Sequence, residues 1–82
     1  MINLKHKTDL ITVDLRTKQI RYLTDYKNQG EIGFINLSND DVGGYSYLYK
    51  EDKNMFCKTL QEDIKSFMGK EISIKDLEEV EL

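Results

Sequence analysis

Cysteine and histidine are almost missing from this chain, which has one of each, Cys57 and His6, and neither proline nor tryptophan. A single cysteine cannot form an intramolecular disulfide, and a Cys/His zinc site would lack ligands. No glycine-rich turn with a following Lys-Ser/Thr pair offers a phosphate cradle, since the only paired glycines are Gly43-Gly44. We therefore expect no metal, no cofactor and a reducing compartment.

Long hydrophobic runs are also missing, so no segment approaches the roughly 20 apolar residues that span a bilayer. The first ten residues carry Lys5, Lys7 and Asp9 and lack the apolar centre of a secretion signal. We expect a cytoplasmic protein without membrane association. At 82 residues, the expectation is one domain over residues 1–82.

Charge is unevenly distributed around a net value of −3. Residues 1–28 hold six basic and three acidic side chains, a local balance of +3, and the remainder is acidic. The isoelectric point of about 5.1 is far below the basic range typical of nucleic-acid-binding domains. Opposite ends of the chain therefore offer surfaces of opposite sign.

Two alternating apolar segments, 11–15 and 19–23, predict a β-hairpin. A turn centred on residues 17–18 would pair Leu15 with Ile20 and Val13 with Tyr22, and would place Asp14 opposite Arg21 on the other face. A looser four-residue connection would give the same register. Residues 25–30 are typical of a loop.

A second hairpin is predicted further along. Residues 32–37 have the composition of a strand, with Gly33 at a bulge or a close approach, and the polar run 38–44 is typical of a loop. Tyr45, Tyr47 and Tyr49 then alternate with other residues, and a strand would place all three rings in one row.

From residue 53 the spacing becomes helical. Phe56, Leu60, Ile64 and Phe67 recur every three to four residues, which predicts a helix over 53–68 with these residues on its buried face. Asp52 or Asn54 can cap its start, and Gly69 stands where a left-handed cap is usual.

The C-terminal segment carries a capping-box pattern, Ser73 followed by Asp76, which predicts a short helix over 74–81. A strand over 71–75 is the alternative. The expected fold is thus α+β: an antiparallel sheet of three to four strands, in two β-hairpins, packed on one long helix in the C-terminal half and followed by a short acidic helix.

Nothing in the sequence forms a convincing catalytic set. Cys57 near a helix start could be a nucleophile only with His6 as its base, and a small buried side chain is the simpler interpretation. We therefore expect a non-enzymatic protein that binds a protein partner. The candidate partner-binding residues are the tyrosine row and the acidic C-terminal side chains: Tyr45, Tyr47, Tyr49, Asp76, Glu78, Glu79 and Glu81.

The basic N-terminal part supports an alternative, a small nucleic-acid-binding regulator. Cationic side chains contact phosphates and exposed tyrosines stack on bases. The residues that would do so are Arg16, Lys18, Arg21, Tyr22 and Lys27. Exposed strand edges could also pair with those of a second copy, so a homodimer is a further alternative.

In size and composition alone, a tiny acidic chain rich in Lys, Asn, Asp and Ile, the protein resembles the inhibitors that phages and mobile elements direct at host defence nucleases, anti-CRISPR proteins among them. That resemblance implies an inhibitor that blocks a partner's nucleic-acid-binding groove. Its contact would be the tyrosine row or an acidic surface that imitates DNA phosphates.

Overall fold

The fold is seen in a computed structural model that describes residues 1–24 and 30–82 of the chain, with only the backbone described at residues 31 and 32. Five strands, two helices and one 3-10 turn make up the described elements. In chain order these are β1 (Ile2–His6), β2 (Asp9–Asp14), β3 (Gln19–Thr24), β4 (Gly30–Asn36), α1 (Asn39–Glu51), α2 (Lys53–Met68), the 3-10 turn Ile74–Asp76 and β5 (Leu77–Glu79). Apart from Gly30, the predicted loop over 25–30 lies outside the described residues.

The α+β class is confirmed, but the inventory of elements differs from the prediction. The strands form one antiparallel sheet in the order β4-β3-β2-β1-β5. Five strands and two helices therefore replace the expected three to four strands, single long helix and short acidic helix.

Strand β1 was not predicted, although its pattern is visible in the sequence. Ile2, Leu4 and His6 are buried while the residues between them are partly exposed, which is the period-two pattern of a half-buried strand. The strand pairs with β2 through a tight turn, with Leu4 opposite Ile11.

The β2–β3 hairpin forms as predicted, but its register is shifted by two residues. Val13 faces Ile20, and Asp14 faces Gln19 rather than Arg21. The physical reason is the turn: the Asp14 carboxylate accepts hydrogen bonds from the backbone N–H groups of Arg16 and Thr17, at 3.1 and 3.2 Å, and so closes a four-residue loop. Because the shift is even, every side chain keeps its predicted face.

The third predicted strand is present as β4, but it pairs with β3 and not with a tyrosine strand. The register shifts between Tyr22 and Leu23, opposite residues 31–33, so the irregularity predicted at Gly33 lies there. A Cβ atom at Gly33 would lie 3.6 Å from Cγ of Met68, which places this part of β4 directly under the end of α2.

The prediction of a strand through the three tyrosines is wrong, because residues 39–51 form helix α1. A complete capping box begins the helix: the Ser38 hydroxyl accepts the N–H of Asp41 at 3.1 Å, and the Asp41 carboxylate accepts the N–H of Ser38 at 3.3 Å. These bonds satisfy donors that a helix start otherwise leaves unpaired. The polar run 38–44 is therefore a helix start and not a hairpin loop.

Helix α2 is confirmed at Lys53–Met68. The Asp52 carboxylate caps it by accepting the N–H of Met55 at 3.1 Å, and Gly69 ends it with φ of 65°. Phe67, predicted on the buried face, is 71% exposed, and the neighbouring Met68 packs against the core in its place.

The prediction of a C-terminal helix over 74–81 is also wrong. After one 3-10 turn the chain forms β5, which pairs with β1, so the strand lies at 77–79 and not at 71–75. Ser73 makes no side-chain cap; instead its N–H donates to Nε2 of His6 at 3.2 Å. The N–H of Val80 donates to the carbonyl of Asn3 at 2.9 Å, which extends the attachment to β1.

The core lies between one face of the sheet, here called the inner face, and the two helices. Side chains of the inner face, of both helices and of the segments that follow β4 and α2 form one buried cluster: Ile2, Leu4, Ile11, Val13, Ile20, Tyr22, Ile35, Leu37, Tyr45, Phe56, Leu60, Ile64 and Ile72. Burial of these apolar side chains is the main stabilising contribution to the fold. In residues 1–24 and 30–82 no helix is long and apolar enough to cross a membrane.

Candidate interaction surface

The opposite side of the sheet, here called the outer face, is left without a helix in the described part of the chain, because α1 and α2 both pack on the inner face. The alternation of side chains along each strand fixes its members. They are Asn3, Lys5, Leu10, Thr12, Asp14, Gln19, Arg21, Leu23, Phe34, Asn36 and Glu78. An antiparallel sheet with one covered and one open face is a usual arrangement for a small domain.

Among the outer-face side chains that the structure describes, Phe34 is the most exposed large apolar one, at 56%. It stands in register with Arg21 on β3, which is also exposed, and Leu23 lies two residues further along the same face. Leu10, although on this face, is buried between its cross-strand neighbours Lys5 and Leu23. An aromatic ring, a guanidinium and two aliphatic side chains thus share one patch.

Beside this patch the outer face is polar and internally hydrogen-bonded. Thr12 Oγ1 donates to Asn3 Oδ1 at 3.0 Å, and Gln19 Nε2 donates to Asn36 Oδ1 at 3.2 Å. A shallow depression of about 270 Å³ is lined by side chains of β2 and β3, Arg21 among them. The cross-strand bonds hold these polar groups in fixed positions.

Asp14, where β2 enters the β2–β3 turn, also lines this depression. The hydrogen bond from the N–H of Thr17 is the largest effect on the pKa of the Asp14 carboxyl and lowers it. Desolvation, the next largest, opposes this, and the N–H of Arg16 lowers the pKa further. The carboxylate is therefore charged at neutral pH and is already occupied by the turn.

The three predicted tyrosines do not form a row, because on a helix Tyr47 points away from the other two. Tyr45 is 3% exposed and its hydroxyl donates to the Asp63 carboxylate, while the Tyr49 hydroxyl donates to Glu79 at 2.7 Å. Tyr47 is 66% exposed and is the only one of the three that a partner could contact broadly.

The four acidic residues of the predicted stripe lie on different sides of the C-terminal segment. Asp76 lies 3.9 Å from Nε2 of His6, Glu78 is on the outer face opposite Lys5, and Glu81 follows β5. Glu79 points to the other side, where it accepts from Tyr49 and lies 3.6 Å from the Lys53 ammonium. A strand places neighbouring side chains on opposite faces, so no single stripe forms.

The residues of the alternative basic site are likewise divided. Arg16 and Lys18 are exposed at the β2–β3 turn, and Arg21 is on the outer face. Tyr22 is fully buried, and its hydroxyl donates to Asp9 at 2.7 Å, so its ring is not available to stack on a base. Lys27 lies outside the described residues.

His6 and Cys57 occupy structural positions. His6 is 6% exposed on β1, and its Nε2 atom accepts the Ser73 N–H. Burial raises the pKa of the Cys57 thiol and the charge of Glu79 adds to this, with Lys53 opposing, so the thiol has little thiolate at neutral pH. Among the described residues no three His, Cys, Asp or Glu side chains are grouped so that they could hold a metal ion.

Sequence reasoning missed Phe34 as a surface residue. The strand around it was predicted, and Phe34 alternates with the buried Ile35, so the sequence contained the signal that the two lie on opposite faces. Which face the helices cover was not visible until the sheet order placed β4 at an edge.

Comparisons of the chain with family models, with curated proteins and with solved structures gave no match.

Proposed function

We propose that this protein is a small, non-enzymatic interaction module that binds a protein partner through its outer face. The observation that carries the proposal is the position of Phe34, more than half exposed on a sheet face that neither helix covers. A large aromatic side chain in such a position gives up apolar surface to water, which burial under a partner would recover.

The surroundings of Phe34 suit a protein interface. Aromatic and arginine side chains are the residue types that most often dominate binding energy, and Arg21 is the cross-strand neighbour of Phe34. The hydrogen-bonded pairs Thr12–Asn3 and Gln19–Asn36 would form a polar rim that requires little ordering on binding.

A more specific form of the proposal is an inhibitor, in the cytoplasm, of a nucleic-acid-processing enzyme, of the phage or anti-CRISPR-like kind. Support comes from the small size and the acidic balance of the chain. A rigid sheet face laid over a partner's working surface excludes substrate without any chemistry. The exposed Glu78, opposite Lys5 on the outer face, would add an acidic group to the rim.

The test is an affinity capture from a bacterial lysate with three forms of the protein, each with and without nuclease. We expect one protein to be retained by the wild type, to survive nuclease and to be lost with Phe34→Ala. Phe67→Ala is the matched control, since it removes an even more exposed phenylalanine ring from α2. Equal loss in both variants, or no loss with Phe34→Ala, would contradict the proposal.

One observation favours a second function, the binding of single-stranded nucleic acid. An exposed aromatic on an open antiparallel sheet, with a guanidinium beside it, is an arrangement on which bases can stack. Arg16 and Lys18 at the adjoining turn could contact phosphates. Retention that disappears with nuclease, and an affinity that falls steeply with salt and on charge reversal of Arg16 and Lys18, would favour this function over the first.

A further inference from the structure

Two adjacent glycines lie inside α1, at positions where the fold does not require glycine. Gly43 and Gly44 are exposed, and neither has a positive φ. A Cβ atom built at either position meets nothing within 4 Å. Each glycine in a helix interior is less stable than alanine by about 0.5–1 kcal/mol. The exposed side of α1 at these two positions is thus bare backbone, at a cost in stability that no contact among residues 1–24 and 30–82 explains.

Tyr47 lies one turn further along the same side of the helix, 66% exposed. A long helical side chain normally leans back over the residues three and four positions before it, here Gly44 and Gly43. Since no side-chain atom comes within 4 Å of a Cβ at these glycines, the ring does not fill the space that they leave. The helix therefore presents a projecting ring and, beside it, an unfilled hollow.

Charges on the same side of α1 are arranged with opposite signs at its two ends. Asp40 is in the first turn and Lys50 in the last, and both are exposed. In the part of the chain that the structure describes, neither forms an ion pair. The spacing places Asp40, Gly43, Tyr47 and Lys50 within one strip along the helix.

We propose that α1 pairs with α1 of a second copy of this chain, antiparallel, about a two-fold axis near position 45. In that arrangement position 47 faces position 43 and position 50 faces position 40, because both pairs are centred on 45. Each Tyr47 ring fills the hollow of the other copy, and each Lys50 meets an Asp40. The surface is self-complementary in shape and in charge, as a two-fold interface requires.

Missing side chains at the crossing point let two helices approach more closely than the usual 8–10 Å, which explains why glycine occupies both positions. One short helix per copy buries less than a standard interface, so the dimer is weak and depends on concentration. Glu51 lies about 40° from Tyr47 around the helix, on the same exposed side. In the proposed arrangement it faces Asn39 of the other copy, which carries no charge.

The test is sedimentation velocity of the full chain from about 1 µM to about 1 mM, a range that covers weak dimers. Wild type should pass from monomer to dimer. Asp40→Lys and Lys50→Glu should each weaken dimerisation about tenfold or more, because each turns two attractive pairs into repulsive ones. Mixing these two variants restores both pairs, as does combining them in one chain, and either should recover the wild-type affinity.

Lys58→Glu on α2 is the matched charge control, and it should dimerise like wild type. The double variant Gly43→Ala/Gly44→Ala should fold at least as well as wild type and dimerise less. Weaker dimerisation of a stably folded chain would then result from filling the hollow and not from damage to the fold. The proposal is overturned if wild type stays monomeric at the highest concentration, if the mixed charge variants do not recover, or if a dimer forms that is lost only with Phe34→Ala.

Discussion

The hydroxyl of Tyr45 on α1 donates a hydrogen bond to the carboxylate of Asp63 on α2, in a place where the tyrosine itself is 3% exposed. The ring meets Phe56 edge-on, with centroids 5.5 Å apart and planes at 80°. The bond joins the two helices where they cover the sheet. A tyrosine predicted to display its ring to a partner is instead part of the core.

The Tyr45–Asp63 contact makes the stability of the protein sensitive to alkaline pH. Burial, and then the hydrogen bond to Asp63, raise the pKa of Tyr45 above its ordinary value. The folded chain therefore keeps a proton that the unfolded chain loses above about pH 10. The contribution of Tyr45 to the free energy of unfolding should be constant below that pH and fall above it, by up to about 1.4 kcal/mol per pH unit.

Tyr45→Phe is the control for this prediction. Urea unfolding at several pH values should show lower stability at pH 7, by about 1–2 kcal/mol, because Asp63 loses a donor. Above pH 10 the stability of the variant should fall less steeply than that of wild type. Tyr22, whose pKa is also raised by burial and by Asp9, contributes to the fall in stability above pH 10 in both proteins. Identical slopes would show that Tyr45 does not retain its proton.

Phe56 is the aromatic centre of the core, fully buried and in edge contact with Tyr45 and with Tyr49, at 5.5 and 5.4 Å between centroids. Phe56→Ala should lower the free energy of unfolding by about 3–5 kcal/mol, through lost burial and the cavity left behind. The total free energy of unfolding of a domain of this size is little larger than that loss. Thermal unfolding followed by circular dichroism checks this, with the exposed Met55→Ala as a control that should change stability little.

Alanine at positions 43 and 44 should stabilise the monomer. Neither added Cβ meets an atom within 4 Å, and alanine restricts the unfolded chain. We expect each substitution to raise the free energy of unfolding by about 0.5–1 kcal/mol, measured in dilute solution. Ser66→Ala, at an exposed position of α2, is the matched control and should give a smaller gain. A loss of stability would mean that the glycines serve the fold after all.

Cys57 should react slowly with thiol reagents at pH 8 while the protein is folded. Its pKa is raised first by burial and then by the charge of Glu79, so little thiolate is present. Glu79→Gln should speed the reaction with Ellman's reagent by removing that charge. Lys53→Gln should slow it, because the Lys53 charge lowers the same pKa. Opposite effects of these two variants are the expected signature.

The sequence predicted those elements whose signals are local. Helix α2 has an apolar repeat and a cap at each end, Asp52 and Gly69, so its bounds were predicted correctly. The faces of the β2–β3 hairpin were predicted because alternation survives an even shift of register. The register itself depends on the Asp14 side chain bonding to two N–H groups in the turn, which residue pairing alone did not show.

The errors arose where a local pattern has two interpretations, or where a contact is distant in sequence. Tyr45, Tyr47 and Tyr49 alternate like a strand, but the Ser38–Asp41 capping box and the contact of Tyr49 with Phe56 favour a helix. The three-residue strand β5 exists only because β1, more than 70 residues earlier, offers an edge to pair with. The outer face as a candidate surface follows from that same long-range arrangement.

The most direct test of the outer face as the binding surface is photo-crosslinking in cells, with benzoylphenylalanine placed at position 34 in one variant and at position 67 in another. Both positions hold exposed phenylalanines, on the outer face and on α2 respectively. Position 34 should yield one discrete crosslinked protein that position 67 does not yield. Crosslinks from position 67 alone, or none from position 34 while the partner is still captured, would contradict binding through the outer face.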